Sequence, residues 1–168
     1  YADVSTKEVK PETPTPALTK EQLTAVLRPL RRKMTAGSAS LVEARDFTLI
    51  FLVSRIGARR GSAMEFTWSG WAYDGREAAL NFVQKGGGGH TIRMSPDLIE
   101  VLEDWRIRLE RAMGRPVRPD EPIFPWIGPG GNKVPHDPAL IPMTGRGLLD
   151  AVKRHLLGAG IRGYRMGF

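Results

Sequence analysis

Lys85 stands at the head of four consecutive glycines, within the stretch LNFVQKGGGGHTIRM of residues 80–94. An ammonium on a flexible stem, beside backbone that carries no side chains, is a donor set suited to an anion such as a phosphate. A glycine run has three common uses: a phosphate cradle, a flexible linker, or the tip of a β-hairpin. A nucleotide-binding loop carries its Lys and Ser/Thr after the glycines, at the start of a helix. Here the lysine comes first, and the residues that follow, HTIRM, alternate apolar and polar like a half-buried strand. The preceding AALNFVQK alternates in the same way, which argues against a linker. A hairpin remains, with Lys85 at its rim and His90 beside its glycines. By residue type alone, both are solvated turn residues. The same tip also suits a nucleic-acid cleft, where glycine admits a sugar-phosphate chain and lysine donates to it.

A second group of candidates lies in TGRGLLDAVKRHLLGAG, a helix with Thr144 at its cap. Its N-terminus can hold a phosphate, with Arg146, Lys153 and Arg154 on its surface; a solvated charged face accounts for them equally well. His136 sits in a proline-rich loop and His155 beside Lys153 and Arg154. The sequence has no cysteine, which excludes a disulfide framework, thiolate metal sites and a cysteine nucleophile. No His/Asp/Glu cluster stands at ligand spacing, so neither a metal nor a cofactor is expected. The formal charge is +7, from 25 Lys and Arg against 18 Asp and Glu, and favours a polyanionic partner. The excess is concentrated in RPLRRK (residues 28–33) and in the last quarter, whereas residues 97–104 are acidic. No apolar run approaches the ~20 residues of a membrane span, so no membrane partner is expected.

These residues need elements to hold them, and 168 residues suffice for one domain with a core. Residues 1–17 are Thr/Pro-rich and read as a linker or arm, leaving 18–168 as the domain. Thr19 and Gln22 form a capping box before Leu23, Val26, Leu27, Leu30 and Met34, and Pro29 is expected to end or kink that helix near Arg28. TAGSAS is a loop. LVEARDFTLIFLVSRIG reads as a central buried helix with Gly57 as its cap. A short turn or helix at SAMEF leads to TWSGWAYDG, an aromatic strand closed by an Asp-Gly turn. With the two strands flanking the glycines it makes a three-stranded antiparallel sheet. Ser95-Pro96 starts a helix whose inner stripe is Leu98, Val101, Leu102, Trp105 and Leu109, ended by Gly114. The segment from Arg115 to Pro142 is loop, with IFPW tucked into the core. The four tryptophans read as core or sheet packing. The fold class is α+β, mainly helical with a small antiparallel sheet.

In SRIGARRGSAMEFTWSGW, residues 54–71, a buried helix exits through Gly-x-Arg into a short helical turn, and Thr-Trp-Ser opens a strand. This order resembles the tyrosine recombinase (phage integrase) family of DNA breaking-rejoining enzymes. The resemblance continues in register over residues 17–168, through KGG at 85–87, SPDLIEVLEDW, IFPW and TGRGLLDAVKRHLLGAGI. It implies that Arg59 is the first catalytic arginine and Lys85 the catalytic lysine. A guanidinium presents paired donors to the non-bridging oxygens of a phosphodiester and stays charged, while a lysine on a hairpin can protonate the leaving 5′-oxygen. No metal is required for this chemistry. Arg60, His90, Thr144, Arg146 and Lys153 are the candidate DNA contacts. The family further implies double-stranded DNA as partner, a homotetramer on two duplexes, and a bacterial cytoplasm, as in mobile genetic elements.

Two departures stand out. Gly61-Ser62-Ala63 occupy the place of the family's acidic residue, and the pair Arg59-Arg60 admits a one-residue alternative. The sequence also ends at GYRMGF, before the family's His-x-x-Arg box and nucleophilic tyrosine. Tyr1, Tyr73 and Tyr164 do not match that position, so no nucleophile is assigned. A piece of the enzyme that binds DNA weakly and cleaves nothing by itself is the expectation. The rival expectation is a non-catalytic DNA-binding or regulatory module; a nucleotide-binding enzyme is the remote third.

Overall fold

The computed structural model describes residues 18–58, 60–83 and 86–162. Helix α1 (Lys20–Ala36) begins at the Thr19–Gln22 capping box, in which the Thr19 hydroxyl accepts from the Gln22 N–H and the Gln22 side chain accepts from that of Thr19. Pro29 does not end it: the helix runs on to a left-handed Gly37. A proline inside a helix deletes one ladder bond and costs about 3 kcal/mol. Val26, Leu27 and Leu30 are buried on either side of it, and that packing against the next helix outweighs the local preference. Of the expected loop, residues 37–40 lie outside the helices, Ser40 opening a second capping box with Glu43.

Helix α2 (Leu41–Ile56) is buried on nearly every face from Ala44 to Val53 and ends on Gly57 in the left-handed region. Helix α4 (Pro96–Met113), which follows the short α3 (Arg60–Met64), packs along it. The buried face of α4 is Leu98, Leu102, Trp105, Leu109 and Met113, with Val101 half-buried at its margin. On its outer face Arg108 and Asp104 pair at 2.8 Å, an i, i+4 contact. Between α3 and α4 lie β1 (Trp71–Tyr73), β2 (Ala78–Val83) and β3 (Gly89–Arg93), an antiparallel meander in the order β1-β2-β3. Its register pairs Trp71 with Leu80 and Leu80 with Ile92, so fully buried Leu80 is the centre of the inner face.

The aromatic strand is shorter than its composition predicts. Trp68–Gly70 form a 3₁₀ turn, because the N–H groups of Trp68 and Ser69 donate to the carbonyls of Glu121 and Pro119 rather than to a neighbouring strand. The Asp-Gly turn is present: the Asp74 carboxylate accepts from the N–H groups of Arg76 and Glu77, with Gly75 at φ 93°. Three tryptophans are buried or half-buried, but Trp126 is 44% exposed. Ile123, Phe124 and Pro125 do tuck in, and the buried Trp105 indole donates to the Ile123 carbonyl at 2.7 Å.

The long segment after α4 is held by Glu121, whose carboxylate is buried. It accepts from the Arg115 guanidinium at 3.0 Å, from the Arg118 N–H at 2.8 Å and from the Leu140 N–H at 3.2 Å. Hydrogen bonding to Arg115 outweighs burial and, with the backbone donors, pushes the carboxyl down to about 2. A folded pKa below the unfolded one supplies stability that is complete above the unfolded value of 4.5 and is lost as pH falls through about 2. The contribution is at most about 3 kcal/mol. Glu121→Gln is expected to lower thermal stability at neutral pH and to flatten the pH dependence of the melting temperature below pH 4.5. Identical acid sensitivity in the variant, followed by circular dichroism, would contradict this account.

Helix α5 (Gly145–Gly158) closes the core, packing on α1, α2 and α3 through Leu148, Ala151, Val152 and Leu156. The observed class is α+β with a helical majority, as expected from the order of elements. Among the described residues no helix is long and apolar enough to cross a membrane.

Candidate nucleic-acid interface

Arg59, Lys85 and the side chain of Arg60 lie outside the described residues, as does Tyr164. The elements on either side of the first two are described. Ahead of position 59, Gly57 caps α2 at φ 65°, its N–H on the Val53 carbonyl, and Ala58 is buried. Behind it α3 sits with Ala63 and Ser62 buried and packs on α5. Position 59 is therefore bracketed by core contacts on both sides. Those contacts occupy the turn that carries Gly61, Ser62 and Ala63.

The glycine run is a hairpin tip. The last paired residues are Val83 and Gly89, and Gly86 and Gly87 have φ of 114° and 88°. These conformations exclude most side chains. A Cβ at Gly86 or Gly87 would meet open space, so at these two positions it is the backbone conformation that demands glycine.

An aromatic contact links the hairpin to the segment that follows α3. Phe66, buried two residues after α3, lies 5.0 Å from Phe82 of β2, ring centroid to ring centroid, and Phe82 is stacked on His90 at 5.7 Å. Position 85 is three residues from Phe82, a reach of about 10 Å, and position 59 about 15 Å of partly helical chain from Phe66. Gly70 tightens the same region. A Cβ there would stand 2.2 Å from the Asn81 carbonyl oxygen, so the 3₁₀ turn and β2 touch backbone to backbone.

Of the other candidates, His90 is exposed at the base of the tip with its ring on Phe82. Thr144 caps α5 by accepting from the Gly147 N–H at 3.0 Å, which leaves its own O–H to donate outward. Arg146 is exposed and paired with Asp150 at 3.2 Å, and Lys153 is exposed. His136 instead turns its ring toward the Val134 carbonyl at 3.0 Å, within the loop.

Reading by periodicity misses Asp46. It is fully buried within α2, and its carboxylate is shared among cations. One oxygen accepts from Nε and Nη2 of buried Arg45, at 3.0 and 2.8 Å; the other lies 2.9 Å from Arg154 and 2.9 Å from His155 Nε2, both of α5. Arg45 also donates to the Pro125 carbonyl at 3.2 Å. Burial alone would raise the Asp46 pKa, but the His155 hydrogen bond and the Arg45 charge hold it below the usual carboxylate range. The signal was present in the sequence: an Arg-Asp pair inside an otherwise apolar helix must find partners.

This order of elements is a tyrosine recombinase catalytic-domain-like fold. The chain is similar to the XerH site-specific recombinase bound to difH substrate in a pre-cleavage complex, with a TM-score of 0.61 and 21% identity over 89% of this chain. For XerH with palindromic difH in a post-cleavage complex the TM-score is 0.64, at 21% identity over 93% of the chain. The XerA recombinase gives 0.60, at 12% identity over 92% of the chain. The chain spans 38%, 39% and 47% of the lengths of these three. No protein-family model and no curated protein matches the sequence.

Proposed function

We propose that residues 18–168 are the N-terminal portion of a tyrosine recombinase catalytic domain, following a linker at residues 1–17, in a protein that cuts and rejoins double-stranded DNA. The fold likeness carries this reading. The Phe66–Phe82 contact supports it further, tying the strand that leads to position 85 to the segment that follows position 59.

On this reading Arg59 binds the non-bridging oxygens of the scissile phosphate and holds the negative charge that grows on them. A tyrosine hydroxyl, assigned to no residue of this sequence, releases its proton to solvent and forms the new O–P bond as the P–O5′ bond breaks. Lys85 gives its proton to the departing 5′-oxygen, leaving a 3′-phosphotyrosyl link and a free 5′-hydroxyl. Thr144, Arg146, Lys153, His90 and Arg60 hold the flanking backbone. Assembly as a tetramer on two duplexes, in a bacterial cytoplasm, belongs to the same proposal.

The test of the acid is chemical. In the protein that carries this domain together with its strand-cutting tyrosine, Lys85→Ala is expected to slow cleavage by about 10²-fold or more. A duplex with sulfur in place of the bridging 5′-oxygen releases a thiolate that needs no proton, so the variant should cleave it at close to the parent rate. Equal defects on both substrates would remove Lys85 from the role of acid.

A further inference from the structure

Between α1 and the C-terminal half of α2 runs an open groove of about 570 Å³, remote in sequence from the candidate contacts on α5. Its floor is apolar, with Leu27 and Phe51 buried, and its walls carry Lys20, Arg28, Arg31 and Arg55. Among the described residues no carboxylate lines it; Asp97, outside the groove, pairs with Arg55 at 2.9 Å. Arg31 is held in place without being neutralised. Its Cζ lies 5.6 Å from the Phe47 ring centroid and 5.5 Å from that of Phe51. A cation–π contact uses the charge through the ring face and consumes none of the five N–H donors. Among the described residues Lys20, Arg28 and Arg31 have no side-chain hydrogen bond or ion pair, and all three are exposed. From Lys20 to Arg31 is eleven residues of helix, or about 16 Å. Ser54 and Arg55, at one end of the groove, stand about one helical turn of chain ahead of position 59.

We infer that this groove is a second contact for the sugar-phosphate backbone, engaging duplex DNA through Lys20, Arg28 and Arg31 on the side of position 59 away from the hairpin in sequence. Charge complementarity selects a polyanion, and continuity with the α2 exit selects the same nucleic acid rather than an acidic protein. The inference rests on the DNA-binding reading above and adds a surface to it.

The experiment measures duplex affinity of this chain by fluorescence anisotropy across ~50 to ~200 mM salt, for the parent, for Lys20→Gln/Arg28→Gln and for Arg146→Gln/Lys153→Gln. Both groove residues are exposed and outside the core, so the fold should survive; a melting curve checks it. Every phosphate that a cation no longer neutralises lowers the slope of log K against log salt by ~0.9, so the groove variant is expected to lose ~1.8. A parent that binds DNA, with a slope reduced by the α5 variant and untouched by the groove variant, would overturn the groove alone. A parent that does not bind at the lowest salt would overturn the DNA reading itself. Polyglutamate supplies the remaining arm: if the groove variant loses affinity for it and none for DNA, the groove serves an acidic protein and the inference is wrong.

Discussion

Replacing Arg59 by alanine, in the protein that carries this domain with its strand-cutting tyrosine, is expected to lower single-turnover cleavage by about 10³- to 10⁵-fold. Duplex affinity should fall by less than about tenfold, because one phosphate contact among many is removed. The asymmetry follows from where the guanidinium acts. On the proposed reading its paired donors meet negative charge that is fully developed only as the phosphate is attacked, so their loss is expected in the rate far more than in binding. Arg59→Lys should recover part of the rate by restoring the charge without the fork. The covalent protein–DNA adduct, resolved on a denaturing gel, is the readout. Arg60→Ala is the companion measurement, since the two arginines are adjacent. If Arg60→Ala abolishes cleavage and Arg59→Ala leaves it intact, the assignment moves by one residue; if neither slows it, the assignment fails.

Asp46→Ala is expected to cost about 3–5 kcal/mol of folding stability. The loss is large because Arg45 is itself buried, and without the carboxylate its charge has only the Pro125 carbonyl for company. Arg154 and His155 lose their attachment to α2 at the same time, so α5 loses a tether. Asp46→Asn keeps the shape and surrenders the charge, and should fall between the parent and Asp46→Ala. The pH dependence follows the direction of the shift. The folded pKa is depressed, so this stability is complete above the unfolded value of 3.8 and is lost as pH falls through the folded one. Urea denaturation at neutral and acidic pH measures it. A loss for Asp46→Ala below about 1 kcal/mol would show that the cluster is worth no more than an exposed ion pair.

The regular elements were largely readable from local chemistry. The caps at Thr19 and Gly114, the helix start at Ser95-Pro96, the stripe from Leu98 to Leu109 and the glycine tip between two alternating runs each depend on residues close in sequence, and each stands where that chemistry puts it. Local chemistry misleads where a distant segment competes. Pro29 stays inside α1 because α2 packs against its neighbours, and Trp68–Gly70 leaves the strand because the carbonyls of Glu121 and Pro119 take the N–H groups of Trp68 and Ser69. Trp126 points outward although its neighbours Phe124 and Pro125 are buried. For the candidate site, residue types named Lys85 and the α5 cations, and family likeness named Arg59. Neither disclosed the aromatic contact between Phe66 and Phe82.

What the sequence determines by itself is the set of elements, because capping, turn geometry and hydrophobic period act over a few residues and leave their pattern in the letters. It also determines the chemistry on offer: an excess of cations, no thiol, and a lysine beside glycines. Only the tertiary structure decides which of these charges are spent. Arg45 and Asp46 neutralise each other in the core, Glu121 absorbs Arg115 and fastens the long loop, and Arg31 is held on two phenylalanine rings with its donors uncommitted. The physical reason is that an ionic partner can come from any distance along the chain, and only burial and direction, both properties of the folded molecule, choose it.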